Sequence, residues 1–229
     1  MSPAAPEIAC NGPRDSTVPA AADPAATTVV LGIGNVLWAD EGFGVRCVEA
    51  LQARYDFAPQ VSLVDGGTQG LYLLPLVQGA QRLLIFDAVD YGLAPGTLKI
   101  VENDAVPRFL GAKKMSLHQT GFQEVLMLAL LAGRYPGAVT LVGCQPEELD
   151  DYGGSLRPVV RAALEPALAV ALERLAAWGA QPVARVAPLA GGESVTDASL
   201  ALAAYEAGRP SADAACRIGD ARFLDSAGR

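Results

Sequence analysis

The segment LGIGNVLWADEGFGVR, which spans residues 31–46, constrains the fold more than any other part of the sequence. It begins inside an apolar run, residues 28–33, whose β-branched side chains are typical of a strand buried on both faces of a parallel sheet. Gly32 and Gly34 then allow the backbone to leave this strand in a tight turn. Apolar residues recur at helical spacing from Gly44 onward. The segment therefore predicts a strand, a loop and a helix in succession.

The same alternation of strands and helices continues along the chain and predicts the fold class. Pro95 and Gly96 form a turn before the fourth predicted strand, which can therefore join the sheet in the antiparallel direction. We expect an α/β fold: a three-layer sandwich with a mostly parallel sheet of about five strands, one of them antiparallel, and helices on both faces. Strands are predicted at about 28–33, 61–65, 82–87, 97–102 and 138–143, and helices at about 43–55, 70–78, 117–132 and 156–178.

One domain accounts for the regular part of the sequence. Strand and helix patterns are confined to residues 27–182, and a hydrophobic content of 51% suffices for a packed core. Residues 1–26 are rich in Ala and Pro with little periodicity, which predicts a disordered extension. Residues 183–229 are biased in the same way and are predicted to form a mobile, low-complexity C-terminal extension, although their composition allows an Ala-rich helix near residues 197–207.

Composition and charge disfavour several classes of protein. The net charge is −8 without a basic patch, which argues against a nucleic-acid partner. No apolar stretch reaches the roughly 20 residues that span a bilayer, and no secretory signal is recognisable, so we expect a cytoplasmic protein without membrane insertion. The 4 cysteines are far apart, unlike a disulfide framework or a zinc site. We expect a monomer.

Acidic residues gather where the predicted strands end. Asp40 and Glu41 follow the first strand, Asp65 closes the second, and Asp87 closes the third. The carboxyl ends of parallel strands share one edge of the sheet, and open α/β sheets bind ligands at that edge. These carboxylates are therefore the first candidates for a functional site.

A histidine completes a set of groups with metal-binding character. His118 is the only histidine of the chain and lies in the first turn of a predicted helix that Ser116 can cap. Together with Glu41 and Asp87 it offers two carboxylates and one imidazole, which suit a divalent transition metal with open coordination positions. The same groups also suit proton transfer. Their structural alternatives are a helix-end histidine and a turn-forming aspartate.

The acidic residues of the first two loops also allow structural interpretations. Asp40 and Glu41 can both be solvated residues favoured by a helix dipole, or one can hold the helix start while the other faces the site. Asp65 belongs to an Asp-Gly pair, which is common in turns. Gly66 and Gly67 can instead let a peptide approach the backbone closely.

Other chemistries have weaker support. The pair Gly32 and Gly34 suggests a nucleotide-binding α/β domain, but Leu37 occupies the last glycine position of G-x-G-x-x-G, and acidic residues in the loop would repel a pyrophosphate. Serine-type hydrolysis is disfavoured because no G-x-S-x-G motif is present. Cys47 and Cys144 lack a catalytic context and fit small buried residues.

Six motifs in consistent order over residues 29–178 resemble those of the maturation endopeptidases of [NiFe] hydrogenases. Because several unrelated motifs agree, the resemblance is specific. Those enzymes trim the C-terminus of the hydrogenase large subunit after nickel has been installed. The motifs are GIGNVLWADEGFGVR at 32–46, VDGGTQG at 64–70, FDAVDYG at 86–92, PGTLKI at 95–100, SLHQTG at 116–121 and LVGCQPEEL at 141–149.

The resemblance assigns roles to the candidate residues. It implies that Glu41, Asp87 and His118 form a metal-binding triad. The metal would be nickel supplied by the substrate, so that no permanently bound cofactor is implied. Within the opening segment, Glu41 is then the expected ligand. The expected supporting loop consists of Gly34, Asn35, Asp40, Gly66 and Gly67.

The resemblance also implies an activity. We expect an aspartic-type or metal-dependent endopeptidase, not of the serine or cysteine type, that removes a short C-terminal peptide from the nickel-loaded large-subunit precursor. Glu41 and Asp87 are candidate catalytic residues, and Asp65 is a candidate general base alongside activation by nickel. The alternative from another class is a nickel-checking chaperone that holds the large subunit without hydrolysing it.

Overall fold

The fold was analysed in a computed structural model of the chain, which describes residues 8–10, 25–110, 117–187, 189 and 194–210. Its centre is a sheet of six strands in the order β1-β6-β7-β5-β2-β4. The strands β4, β2, β5 and β7 are mutually parallel, and β6 pairs with β7 in the antiparallel direction. The strands are β1 (Ile8–Cys10), β2 (Thr28–Ile33), β4 (Val61–Gly67), β5 (Arg82–Ala88), β6 (Leu98–Glu102) and β7 (Ala138–Cys144).

The predicted fold class is confirmed. All five predicted strands are present, including the antiparallel β6, and β1 adds a sixth strand parallel to β6. A separate two-stranded sheet pairs β3 (Tyr55–Asp56) with β8 (Val183–Ala184). The helices are α1 (Phe43–Arg54), α2 (Leu74–Gly79), α3 (Ala105–Leu110), α4 (Leu117–Leu131), α5 (Pro158–Ala162), α6 (Leu164–Ala177) and α7 (Leu202–Gly208).

Two apolar clusters cover opposite faces of the sheet and make the three layers. Successive side chains of a strand point to opposite faces. Val30 accordingly packs in a cluster with helices α1, α5 and α6, whereas Leu31 packs in a second cluster with α2 and α4. Leu168 belongs to the first cluster and Phe122 to the second, and both are buried. Burial on both faces explains why the central strands are continuous apolar runs.

Two predicted helices are interrupted where proline removes a backbone donor. The stretch predicted at 156–178 is divided at Ala163 into α5 and α6. Pro166 has no N–H to donate to the carbonyl of Ala162, so a continuous helix would lose that bond. Likewise Gly70–Leu73 forms a 3-10 turn, and α2 begins at Leu74 with a proline in its first turn. Proline is tolerated there because the first amides of a helix have no intrahelical acceptor.

The chain segments at both ends contain regular structure that was not predicted in full. Strand β1 lies within residues 1–26, and α7 lies in the region where an Ala-rich helix was considered. The predicted domain boundaries at residues 27 and 182, and the disorder or mobility predicted outside them, stay predictions. No helix in the described part of the chain is both long and apolar enough to cross a membrane.

Candidate functional site

The loop after β2 is shaped by a glycine that no other residue could replace without movement. Gly34 has a φ of +128°, and a Cβ atom added to it would lie 1.8 Å from the carbonyl oxygen of Glu41. Its N–H donates to the carbonyl of Gly67 at 3.0 Å, which joins the loop to the end of β4. Asn35 accepts a hydrogen bond from the N–H of Leu37 through its side-chain oxygen at 3.0 Å. The loop therefore turns back tightly and brings Glu41 over the end of its own strand.

Asp40 is fully buried and joins this loop to a distant one. Its Oδ2 accepts hydrogen bonds from the backbone N–H groups of Glu147 and Glu148, both at 2.9 Å, and its Oδ1 accepts one from the backbone N–H of Arg157 at 2.7 Å. Helix α1 has Gly42 as its N-cap without a side-chain hydrogen bond, so Asp40 holds the loop and does not hold the helix start by capping α1. Its carboxylate instead accepts hydrogen bonds from three backbone N–H groups of loop 145–157, which would otherwise lack an acceptor.

Glu41 belongs to a 3-10 turn, Ala39–Gly42, that contacts strand β5 and leads directly into α1. Its side chain is half-buried. Burial, and to a smaller degree the negative charge of Asp150, raise the pKa of Glu41 from 4.5 to about 7. A carboxyl group with such a pKa is poised to exchange a proton or to bind a cation at neutral pH.

Asp65 and Asp87 flank the end of β2. Gly32 lies opposite Asp65 on β4 and opposite Phe86, the residue before Asp87, on β5. The backbones of β4 and β5 at these positions are two strand spacings apart, which is about 10 Å. The register shifts after Gly32 in the β2–β4 pair, with Ile33 opposite Gly67, and this irregularity turns the end of β4 toward the loop.

Asp65 is half-buried, and its pKa is raised by burial. The N–H of Gly67 and the charge of Arg46 oppose this shift, and Glu49 adds to it. Gly66 follows in a crowded position, because an added Cβ would lie 2.8 Å from the Leu31 side chain. Asp65 and both glycines therefore belong to the end of strand β4 and not to a turn, and Asp65 presents a partly exposed carboxylate there.

Asp87 is almost fully buried at 1% exposure and lies opposite Gly143 on β7. The absence of a side chain at Gly143 makes room for Tyr91, because an added Cβ would lie 2.4 Å from the tyrosine oxygen. Burial and the charge of Asp87 raise the pKa of the Tyr91 phenol, which therefore stays protonated. Lys99 places its Nζ 4.8 Å from the centre of the Tyr91 ring.

His118 lies in the first turn of α4, as predicted, while its side chain and Ser116 lie outside the described residues. Helix α4 packs against the 3-10 turn Gly70–Leu73, which follows β4. A Cβ on Gly121 would lie 3.6 Å from the Cα of Gly70, so the helix approaches this turn closely. The backbone therefore places the first turn of α4 near the segment that follows Asp65. Among the side chains that are described, no three His, Cys, Asp or Glu residues form a group that could hold a metal.

Sequence reasoning assigned no role to Gln145, which organises the loop after β5. Its Oε1 accepts hydrogen bonds from the N–H groups of Tyr91 at 2.7 Å and Leu93 at 3.1 Å, and its Nε2 donates to Asp90 at 3.0 Å. The residue is buried at 6% exposure. A glutamine directly after a buried strand was the available signal, since a buried amide must find partners.

Two glycines, one on β2 and one on α1, allow the helix to pack closely on the sheet. Gly32 and Gly44 let α1 lie directly on the sheet, because a Cβ on Gly44 would be 2.3 Å from the carbonyl oxygens of both Ile33 and Phe86. Cys47 and Cys144 are buried, and burial raises the pKa of both thiols, which disfavours a thiolate nucleophile. Both observations agree with the preference for carboxylate chemistry over phosphate binding or cysteine catalysis.

Comparisons with known proteins place the chain in a family. Residues 45–174 match the family model described as hydrogenase maturation protease, HycI. The hydrogenase expression/formation protein HoxM of Cupriavidus necator is 69% identical over 196 residues, which cover 86% of this chain and 97% of that protein. The hydrogenase 2 maturation protease of Escherichia coli K12 is 42% identical over 160 residues, which cover 69% of this chain and 96% of that protein.

A solved structure shares the fold as well as the sequence. The hydrogenase maturating endopeptidase HybD from Escherichia coli superposes with a TM-score of 0.66 at 40% identity, covering 69% of this chain and 97% of that one. The family model matches more than half of the chain, and the similar relatives are matched over nearly their full length. Both findings lead to the same assignment. The chain belongs to the family of hydrogenase maturation proteases, which are endopeptidases.

Proposed function

We propose that this endopeptidase removes a short C-terminal peptide from the nickel-loaded large-subunit precursor of a [NiFe] hydrogenase, in the cytoplasm and as a monomer. The observation that carries the proposal is the set of three carboxylates, Glu41, Asp65 and Asp87, at one edge of the sheet in a chain of this family. This edge is where open α/β sheets bind ligands.

Glu41 and Asp87 are proposed to contact the nickel held by the precursor, together with His118. Carboxylate and imidazole donors suit a divalent transition metal. The raised pKa of Glu41, about 7, would fall as a cation approaches, so that the carboxylate ionises when a loaded precursor docks. The site would thereby check for nickel before cleavage, with the metal belonging to the substrate.

Asp65 is proposed to assist the attacking water as a general base. Its pKa is raised by burial, which brings a carboxyl group closer to the range useful for proton transfer near neutral pH. The enzyme would then be of the aspartic or metal-dependent type. The buried thiols of Cys47 and Cys144 support the exclusion of a cysteine nucleophile.

The experiment is to incubate the purified protein with nickel-loaded precursor and to measure the product mass. Loss of a C-terminal peptide is expected. A stable complex with intact precursor would contradict the proposal and favour a nickel-checking chaperone. Precursor from which nickel has been removed should stay uncut, because the proposed donors would then lack the cation that they recognise.

A variant tests the assignment of the metal-binding residues. His118→Ala should leave the precursor uncleaved, whereas Gln123→Ala, one and a half turns further along the same helix, should cleave normally. Normal processing by His118→Ala would remove His118 from the proposed triad. Asp65→Asn should slow the chemical step by about 100-fold if Asp65 is the base, and an unchanged rate would leave water activation to nickel alone.

A further inference from the structure

The segment of residues 194–210, which we name the C-terminal strap, packs against the elements on both sides of Glu41. These elements are α1, which begins two residues after Glu41, and loop 145–157, which holds the carboxylate of Asp40. The strap lies beyond the last predicted strand and helix of the sheet domain. Its contacts nevertheless reach the two elements that adjoin the turn carrying the proposed metal ligand.

Buried polar contacts join the strap to α1. Arg46 is buried at 3% exposure, and its Nη1 donates to Glu49 Oε2 at 2.7 Å and to the carbonyl of Leu200 at 2.5 Å. Glu49 in turn accepts a hydrogen bond from the N–H of Leu202 at 2.9 Å. The Arg46 guanidinium also lies 5.6 Å from the ring centre of Tyr205. Backbone groups of the strap thus form further hydrogen bonds with the Arg46–Glu49 ion pair, and the network orients both side chains.

A second set of contacts joins the strap to loop 145–157. The Tyr205 hydroxyl donates to the carbonyl of Gly154 at 3.2 Å, and the Ser155 hydroxyl donates to Glu206 at 2.6 Å. Glu206 also pairs with Arg161 of α5. The strap therefore touches the chain two residues before Arg157, whose N–H bonds to Asp40.

The same loop rests on the turn of Glu41 at two further points. Trp38 and Tyr152 form an isolated β-bridge, with ring centres 5.2 Å apart in an edge-to-face arrangement. The N–H of Gly153 donates to the carbonyl of Leu37 at 2.7 Å. A displacement of residues 152–157 would therefore be transmitted to residues 37–41.

We propose that the C-terminal strap is a positioning element for catalysis: through Tyr205 and Glu206 it fixes loop 145–157, and through that loop it fixes the turn that bears Glu41. The proposal rests on the proposed function, because its consequence is the rate of precursor cleavage. Tyr205 and Glu206 are positioning residues and need no contact with the precursor. A displacement of a reacting group by about 1 Å can cost about 100-fold in rate.

The test compares the wild-type protein with the double variant Tyr205→Phe/Glu206→Ala, which removes both contacts with the loop and keeps the aromatic ring over Arg46. With nickel-loaded precursor, the cleavage rate at saturation should fall about tenfold while KM stays within about twofold. Glu206→Gln can still accept the bond from Ser155 and should restore most of the rate. Glu165→Ala, which removes an exposed ion pair between α6 and Arg54 at the end of α1, is the matched control and should cleave normally.

Hydrogen exchange gives a readout that needs no substrate. In the double variant, the N–H groups of Glu147, Glu148 and Arg157, which bond to Asp40, should exchange about tenfold faster than in wild type. Unchanged exchange, an unchanged rate, or a rise in KM at unchanged saturating rate would each overturn the proposal. If the wild-type protein itself fails to cleave the loaded precursor, the proposed function fails instead, and this outcome is distinguished by the wild-type reaction alone.

Discussion

The carboxylate of Asp40 accepts a hydrogen bond at 2.7 Å from the backbone N–H of Arg157, 117 residues further along the chain. Two more backbone donors, from Glu147 and Glu148, complete its coordination. The two loops at the carboxyl edge of the sheet are thus joined by one fully buried side chain. This carboxylate therefore helps to hold the neighbouring Glu41 in position, together with the contacts of Leu37 and Trp38 with the same loop.

Replacing Asp40 by Ala should destabilise the protein strongly. Three backbone donors would lose a charged acceptor inside the protein, and buried unsatisfied groups cost about 1–3 kcal/mol each before relaxation and water entry. We expect a net loss of about 3 kcal/mol, or about 10 °C in Tm for a chain of this size. Thermal unfolding checks this value.

An exposed aspartate provides the control for that measurement. Asp56 is 59% exposed and pairs with Arg185 at 2.9 Å. Because exposed ion pairs contribute about 0–1 kcal/mol, Asp56→Ala should change Tm by only a few degrees. Equal losses of stability in the two variants would show that the three hydrogen bonds of Asp40 contribute no more than one exposed ion pair.

The strands and helices of the sheet were predictable because their signal is local. Thr28–Ile33 is a continuous apolar run, and burial on both faces of the sheet requires such a run. Strand β1 escaped prediction because three residues, Ile8–Cys10, carry no periodicity. Asp65 and Asp87 were identifiable for the same local reason, since each directly follows an apolar run, whereas Asp40 and Glu41 stood out as adjacent carboxylates in the loop after one.

The connections between loops were not predictable from the sequence. The partners of Asp40 are backbone N–H groups more than 100 residues away, and every residue except proline offers such a donor. Arg46 was visible as a charged residue on a helix, but its burial depends on Leu200 and Tyr205 of the C-terminal strap. These contacts follow from the tertiary fold and leave no local pattern.

Gly34→Ala should abolish most of the cleavage activity. The substitution needs an alanine at a φ of +128° and places its Cβ 1.8 Å from the carbonyl oxygen of Glu41, so the turn must move. Because Glu41 would move with the turn, the cleavage rate should fall by about 100-fold. Gly133→Ala is the matched control, since Gly133 also has a positive φ of +64° but an added Cβ meets nothing within 4 Å. It should lose about 1 kcal/mol of stability and keep its activity. Full activity of Gly34→Ala would show that the turn tolerates displacement.

Gln145→Glu should destabilise the protein in a manner that depends on pH. The isosteric carboxylate can still accept the bonds from Tyr91 and Leu93, but it places a second negative charge at the site where Nε2 donates to Asp90 at 3.0 Å. Two carboxylates at that distance favour sharing one proton, so the loss of stability should be larger at pH 8 than at pH 5. Denaturant unfolding at both pH values tests this prediction, with Gln181→Glu at an exposed position as the control. An equal loss at both values would rule out charge repulsion as the cause.

Glu41→Gln should stabilise the substrate-free protein at alkaline pH while it impairs cleavage. In the folded protein the pKa of Glu41 is raised to about 7, first by burial and then by Asp150, from 4.5 in the unfolded chain. A raised pKa means that the folded state binds the proton more tightly, so the contribution of Glu41 to stability is fully present below pH 4.5 and is lost as the pH rises through about 7.

Glutamine does not ionise, so the variant avoids this loss. The shift sets an upper bound of about 3 kcal/mol, and solvent screening at a half-buried carboxyl reduces the expected gain to about 1 kcal/mol. The difference in unfolding free energy between variant and wild type should therefore grow between pH 5 and pH 8. Glu165→Gln controls for the loss of one exposed negative charge. A constant difference across this range would show that folding does not raise the pKa of Glu41. The argument that its carboxylate favours binding a cation at neutral pH would then fail.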